Sequence, residues 1–324
     1  MKAVVITTIN PPTETIKRFI EMEDTKVYVI GDRKTPKNCK YAGTEYYSVE
    51  EQNKLKFDLL KHLPYNHYSR KMIGYLCAMR DGADVIIDSD DDNTPVLNWR
   101  YPEFSGEYET AGKGEFYNIY QNYSRLHIWP RGFPLSYINK SQNIETEKKQ
   151  VNVGVWQGLV DIDPDVDAIY RLTKGSPCYF FNNRPVVLNK ETACPYNSQN
   201  TITRKELFQL LYLPTTVSFR FTDILRGYVA QPIMWEYGYS LGFYGPTAEQ
   251  VRNYHDFFKD FLSEIPMYEH SESIVGAVKQ VVSKDSTMVY NMYKAYEVLY
   301  EKGIVKRDEL STLTKWNIDV CTLT

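Results

Sequence analysis

Cysteine is scarce in this sequence, and what there is lies far apart. Cys39, Cys77, Cys178, Cys194 and Cys321 are odd in number and include no Cys-x-x-Cys pair. That excludes a disulfide framework and a thiolate zinc site, and it reads as reduced thiols. Histidine is equally sparse: His62, His67, His127, His255 and His270 show no metal-ligand spacing and are read as structural. An excess of charge of one sign is missing too. Charged residues make up 24% and the formal net charge is −3, a balance with no general attraction to nucleic acid or anionic membranes. No apolar run reaches transmembrane length, and the run from Ala3 to Ile6, before Pro11-Pro12, is too short for a signal peptide. These absences predict a cytoplasmic protein with no membrane span.

What is present is apolar and aromatic. Hydrophobic residues are 43% of the 324, enough for a substantial core. Aromatics reach 14%, with 27 Tyr; such amphipathic rings suit sugar-binding clefts and ordinary cores alike. Ala3 to Ile6 reads as a buried strand, a helix follows from about Thr13 to Glu23, and Lys26 to Ile30 is a second strand stopped at Gly31-Asp32. That order is a βαβ unit and predicts a mainly parallel sheet. Ser48 to His62 and Ser69 to Asp81 carry helical patterns, the latter ending at Gly82. Ala83 to Asp88 is a short buried strand running into Ser89-Asp90-Asp91-Asp92-Asn93. Thr216 to Tyr228 reads as a strand followed by a helix start. After Gly245-Pro246 the pattern predicts three amphipathic helices, Thr247 to Ile265, Glu269 to Val282 and Ser286 to Lys302. The expected organisation is an α/β catalytic domain over residues 1–245 and a helical subdomain over 246–324.

A strand that ends in consecutive carboxylates needs something to offset their repulsion. Two like charges about 5 Å apart cost about 3 kcal/mol at an effective dielectric near 20. A hard divalent cation, Mn²⁺ or Mg²⁺, does this directly and would neutralise a diphosphate leaving group. Asp90 and Asp92 are the candidate metal ligands. The C-terminal edge of a parallel sheet is also where α/β folds bind ligands. Taken alone, the run is equally a solvated acidic turn with Asp92-Asn93 as a cap.

Other segments carry candidate binding groups. Thr8 ends the first strand, and Asp32 with Arg33 follows the second, where a carboxylate suits a uracil imide and a cation suits phosphate. Arg70 and Lys71 open a helix, a setting for diphosphate. Trp129-Pro130-Arg131-Gly132-Phe133-Pro134 holds Arg131 in a rigid loop, as a phosphate clamp, a nucleophile-side residue or a salt-bridge partner. Asp161-Ile162-Asp163-Pro164-Asp165-Val166-Asp167 reads as a solvated loop ending in a helix capped at Asp167, with a metal or sugar-hydroxyl site as the alternative. Asp223, in Phe219 to Tyr228, suits a general base for an acceptor hydroxyl, a sugar-orienting group or an N-cap.

These motifs resemble the STELLO-type glycosyltransferase domain. The resemblance rests on Asn66-His67-Tyr68-Ser69-Arg70-Lys71 through Leu76, Gly31 to Pro36, Asp90 to Asn93, Trp129 to Pro134, Gln157 to Asp167, Ala193 to Thr201 and Phe219 to Gln231, in order over roughly residues 1 to 240. It implies a GT-A-type, Rossmann-like fold and a nucleotide-sugar donor, UDP-linked, with an unknown acceptor that is a glycan, a protein or a small molecule. The plant members are Golgi membrane proteins. A weaker resemblance is to the reversibly glycosylated polypeptides, the UDP-arabinopyranose mutases, in which the arginine of the Trp-Pro-Arg-Gly loop becomes glycosylated. That residue matches Arg131, although the sequence after Pro134 departs from the mutase pattern.

The reading is thus a metal-dependent glycosyltransferase. Asp90 and Asp92 bind the cation, and Thr8, Asp32, Arg33, Arg70, Lys71, Asp90 and Asp91 contact the nucleotide or diphosphate. Asp223 and Arg131 carry the chemistry. The alternatives are a mutase or self-glycosylating protein using Arg131, and a non-catalytic nucleotide-sugar-binding scaffold. A homo-oligomer is compatible with any of these.

Overall fold

Strand β1 (Lys2–Thr8) has neighbours on both edges and is buried on both faces, which is why Ala3 to Ile6 form an unbroken apolar run. The computed structural model describes residues 1–175, 177–181, 184–251 and 256–324. His255 lies outside the described residues. After β1, Thr13 caps α1 (Glu14–Ile20) by accepting from the Ile16 N–H, and the chain returns through β2 (Thr25–Gly31) and β3 (Glu45–Tyr47), both parallel to β1. Ser48 opens a short helix, α2 (Val49–Gln52), with a capping box on Glu51.

The helical pattern over Ser48 to His62 resolves into α2 and a separate 3₁₀ turn, Asp58–His62. The break has a tertiary cause. The Asp319 carboxylate, from the last helix, accepts the N–H groups of Asp58 and Leu59, both at 2.9 Å, and starts a new turn there. Helix α3 (Lys71–Arg80) is buried from Lys71 to Met79 and lies directly on β1 and β2. Gly74 permits this approach, because a Cβ there would stand 2.4 Å from Val5 Cγ1.

Strand β4 (Val85–Ser89) continues the sheet beside β1, and β5 (Asn93–Pro95) follows it. Then come β6 (Ser105–Ala111), the long β7 (Glu147–Ile162), α4 (Ala168–Thr173), β8 (Val186–Leu188), β9 (Asn200–Arg204), α5 (Thr222–Glu236) and β10 (Ser240–Gln250). The sheet order is β3-β2-β1-β4-β9-β7-β6-β8-β10-β5, with β7 also pairing β10. The fold is α/β and GT-A-like, as expected, but the sheet is not mainly parallel. Among the described strands five pairings are parallel and five antiparallel. The βαβ signal was confined to the front, where β1 to β4 run parallel; β9 then enters in reverse.

Two later expectations change. No strand precedes α5, because the Thr215 and Thr216 N–H groups go to the Glu309 carboxylate instead of a ladder. Gly245-Pro246 does not end the sheet either. It sits in β10 at a register shift between Tyr244 and Ala248, where a residue without an N–H is tolerated.

The C-terminal helices are α6 (Phe257–Lys279), α7 (Met288–Glu301) and α8 (Asp308–Leu323). Helix α6 runs through Pro266 as one element, because its buried residues Glu264, Met267, Ser271, Ile274 and Val278 keep a helical period across that position. Trp316 of α8, Tyr296 of α7 and Met72 of α3 share one apolar core. No described helix is long and apolar enough to cross a membrane.

Candidate active site

The C-terminal ends of β2, β1, β4, β7 and β10 and the N-terminal end of β9 share one edge of the sheet. A cleft of about 440 Å³ opens there, lined by Thr8, Asp32, Asp90, Asp91, Asp92, Arg131 and Asp223 among the predicted residues. Arg33, Arg70 and Lys71 are outside that lining. Sequence reasoning gave no role to Asn197, Gln199 and Gln250, and took Asp165 for a solvated loop residue; all four line the cleft.

Each carboxylate of the triplet is held differently. Asp90 Oδ1 accepts from the Tyr68 hydroxyl at 2.8 Å and from Lys71 Nζ at 3.1 Å. Burial, opposed by Lys71 and then reinforced by the Asp92 charge, pushes its pKa up to about 6. Asp91 accepts from the Thr8 hydroxyl and, at 3.0 Å, from Asn10 Nδ2, which ties it to the loop after β1. Asp92 accepts from Gln250 Nε2 at 2.9 Å and Asn93 Nδ2 at 3.0 Å. Asp32 is turned toward backbone: its carboxylate takes the N–H groups of Arg33 and Asn66, both at 2.7 Å.

Lys71 sits beneath the triplet rather than in the cleft. Its fully buried Nζ lies 2.6 Å from Asp88 Oδ1 and also donates to the Ser89 carbonyl at 2.6 Å. Burial pulls its pKa down, but Asp88 and Asp90 outweigh that and leave it above the ordinary lysine value. Arg226 of α5 meets the other Asp88 oxygen at 2.9 Å. Arg70 is buried against the Gln52 side-chain carbonyl and stacks on Tyr65. Arg33 is exposed and stacks on the same ring, 3.8 Å from its centre. Both arginines pack on Tyr65, between the loop after β2 and the start of α3, outside the cleft lining.

Arg131 lies at the other end of the cleft. Gly132 positions it, with φ +88 and no room for a side chain, since a Cβ would stand 2.4 Å from Ile224 Cγ2. Trp129 Nε1 donates to Asp167 at 2.6 Å and the Tyr228 hydroxyl to the Gly132 carbonyl at 2.7 Å, which pins the loop to α4 and α5. Arg131 is 5% exposed. Its Nε donates to Asp165 at 2.8 Å, Nη2 meets Asp165 at 2.8 Å and Asp223 at 2.9 Å, and Nη1 donates to Asp223 at 3.1 Å and to the Arg220 carbonyl. Every guanidinium nitrogen is engaged. Burial works against the charge, but the two carboxylates hold Arg131 protonated, well above its ordinary pKa. Asp223 lies in the first turn of α5 and is not its N-cap, which is Phe221. Asp167 does cap α4, accepting from the Tyr170 N–H at 2.8 Å, as its motif predicted.

Amides connect the two ends. Asn197 Nδ2 donates to Asp165 at 2.7 Å and, at 3.5 Å, to Gln199 Oε1. Gln199 Nε2 donates to Gln250 Oε1 at 2.6 Å, and Gln250 in turn donates to Asp92. A continuous path thus runs Asp223–Arg131–Asp165–Asn197–Gln199–Gln250–Asp92. Asn197 and Gln199 lay inside the Ala193 to Thr201 motif, the one sequence signal that could have found them.

Among the described residues no cluster of three or more His, Cys, Asp or Glu side chains could hold a metal unaided. The donor set nonetheless fits Mg²⁺ or Mn²⁺. Such hard ions are commonly bound by one or two carboxylates and complete their shell with water and substrate phosphates. Asp90 and Asp92 supply two such carboxylates at the cleft surface.

Comparison with known proteins shows the resemblance carried by these motifs. Residues 220–322 match the family model described as STELLO glycosyltransferases. Over 276 residues, 77% of this chain, it is 30% identical to "Probable glycosyltransferase STELLO1" and 31% identical to "Probable glycosyltransferase STELLO2", both of Arabidopsis thaliana. The chain spans about a third of these relatives' length, 35% of each. The family match takes in α5 to α8, so the resemblance extends past residue 240, where the quoted motifs stop.

Proposed function

We propose, on the similarity of this chain to the STELLO glycosyltransferases, that it transfers a sugar from a UDP-linked nucleotide sugar to a glycan, protein or small-molecule acceptor. The observation that carries this is a cleft at the strand edge that joins the Asp90–Asp92 triplet to the Arg131–Asp223 pair.

Asp32 faces the nucleoside end, where a carboxylate oxygen accepts the imide N–H of a uracil. Thr8 and Asp91 are fixed to each other beside the ribose and diphosphate. Asp90 and Asp92 would hold Mn²⁺ or Mg²⁺, which would supply charge neutralisation to the departing diphosphate. Lys71 keeps the triplet assembled from below, against its own repulsion. Asp223 takes the proton of the acceptor hydroxyl or orients the sugar. Arg131 acts as its positioning residue through paired hydrogen bonds. A role for Arg131 as a covalent anchor needs a neutral guanidinium, and two carboxylates around it work against that.

The test is release of UDP from UDP-sugars in the presence of Mn²⁺, with Asp92→Ala and Asp223→Ala as controls. Turnover in the wild type, lost in both variants and on adding EDTA, supports the proposal. Unchanged turnover by Asp92→Ala in EDTA overturns metal dependence.

A further inference from the structure

Helix α5 carries Asp223 in its first turn but has no cap of its own. Its N-cap residue is Phe221, which makes no side-chain hydrogen bond. A helix start of that kind leaves its first N–H groups without a cap and depends on outside contacts to hold its geometry. Helix α6 supplies them from two consecutive residues. The Ser218 hydroxyl donates to the Ser263 carbonyl at 2.6 Å. Arg220 donates from Nε to Glu264 Oε1 at 2.8 Å, and its Nη2 lies 2.7 Å from the same oxygen.

Glu264 is fully buried, and its second oxygen serves the other wall of the site. Oε2 accepts the Ala168 N–H at 2.7 Å and the Tyr268 hydroxyl at 2.6 Å. Ala168 opens α4 directly after Asp167, the residue that takes the Trp129 indole N–H and so anchors the loop of Arg131. One carboxylate thus joins the two segments that meet at the Arg131–Asp223 pair. With donors on both oxygens, and one of them a guanidinium, it has little freedom to turn.

The link to the chemistry runs through Arg220. Its side chain is fastened to Glu264, and its carbonyl accepts from Arg131 Nη1. Arg131 turns that same nitrogen, together with Nη2, on Asp223. Resting on the transfer reading above, we propose that Glu264 is a positioning residue for the reaction, acting through Arg220 to align the Arg131–Asp223 pair. It stands outside the cleft lining, 41 residues beyond Asp223 in the chain.

The experiment compares the full chain with Glu264→Ala, Arg220→Ala, the double variant and Tyr268→Phe. It reads UDP release from UDP-glucose, UDP-galactose and UDP-N-acetylglucosamine in Mn²⁺, and hydrogen exchange without substrate. A misplacement of about 1 Å costs about 10²-fold even when its cause lies away from the chemistry, so Glu264→Ala should lower kcat by about tenfold or more and leave the donor KM within about threefold. Exchange should rise over 129–133 and 218–224 and stay unchanged in β1 and β2. Tyr268→Phe, which removes only the hydroxyl bond to Oε2, should keep kcat within about twofold of wild type. The double variant should be no slower than Glu264→Ala alone; losses that multiply show two independent roles and overturn the route through Arg220. If Glu264→Ala does not fold, Glu264→Gln decides, because its amide N–H₂ must face one of the two donor sets and should lower kcat in the same way. Unchanged kcat in a folded Glu264 variant of an active enzyme overturns the positioning role and leaves the transfer reading intact. A wild type that releases UDP from none of the three donors overturns that reading, and this role with it.

Discussion

Arg131 grips Asp223 with both terminal nitrogens, Nη1 at 3.1 Å and Nη2 at 2.9 Å, while the rest of its guanidinium faces Asp165. The chemistry proposed for Asp223 depends on this geometry. One cation holds two buried carboxylates, and Ser198 N–H also points at Asp223, at 3.3 Å.

Asp223→Ala should therefore abolish turnover without unfolding the chain, because Arg131 keeps Asp165 as a partner. Loss of a positioned general base costs about 10²- to 10⁴-fold. Steady-state kinetics beside a thermal melt checks this. A rate within tenfold of wild type, with the fold intact, would remove Asp223 from the mechanism.

Arg131→Lys should be worse for stability than Asp223→Ala. A lysine offers one point charge where the fork served two carboxylates and a carbonyl. Breaking a buried pair in this way costs about 3–5 kcal/mol. Denaturant unfolding measures it, and a cost under about 1 kcal/mol would show that the cluster is not structural.

Asp167 predicts a pH dependence of stability. Burial, opposed by the Tyr170 and Trp129 hydrogen bonds, pushes its pKa up to about 7. Its unfolded value is about 3.9. The folded value is the higher, so the contribution of Asp167 is complete below the unfolded pKa and is lost as pH rises through about 7. The melting temperature should fall between about pH 4 and pH 7, the span between the unfolded and folded values, and Asp167→Asn should flatten that fall. Equal slopes in the two proteins would contradict the assignment.

Glu309 joins the last helix to the site. It is buried on α8 and accepts from the Thr215 N–H at 2.8 Å and the Thr216 N–H at 2.8 Å, and from the Tyr212 hydroxyl. Those residues lead into Phe219, Arg220 and Asp223 of the cleft. Glu309→Ala should cost about 3 kcal/mol, since hydrogen bonds to a charged group are worth about 1.5–3 kcal/mol each. It should also lower activity although it lies outside the cleft. Calorimetric unfolding with a parallel rate assay measures both.

The front of the molecule was legible because its signals are local. Ala3 to Ile6, the break at Gly31 and the acidic end of β4 each identify an element from their own residues. Lys71 and Arg70 were misplaced because their burial depends on distant partners. Asp88, inside β4, needs a buried cation, and nothing within the α3 pattern announces that pairing. Asp165 was taken for a solvated loop residue, whereas its loop turns it inward and buries it. Asp163 turns to Arg171 while Asp165 turns inward to Arg131, and only the tertiary fold separates the two. Gln199 and Gln250 are uncharged amides with no periodic signature, so they emerge only when β9 and β10 are seen to end at one edge. The break expected between Ile265 and Glu269 does not form, because α6 packs along α5 as one helix.

The central claim is that the triplet binds a nucleotide diphosphate through a divalent cation. Calorimetric titration of UDP into the wild-type chain and Asp92→Ala, each in Mn²⁺ and in EDTA, tests it most directly. UDP should bind the wild type with Mn²⁺ and at least tenfold more weakly in EDTA, and Asp92→Ala should show the weak value in both. Equal UDP affinity across all four titrations would contradict the account.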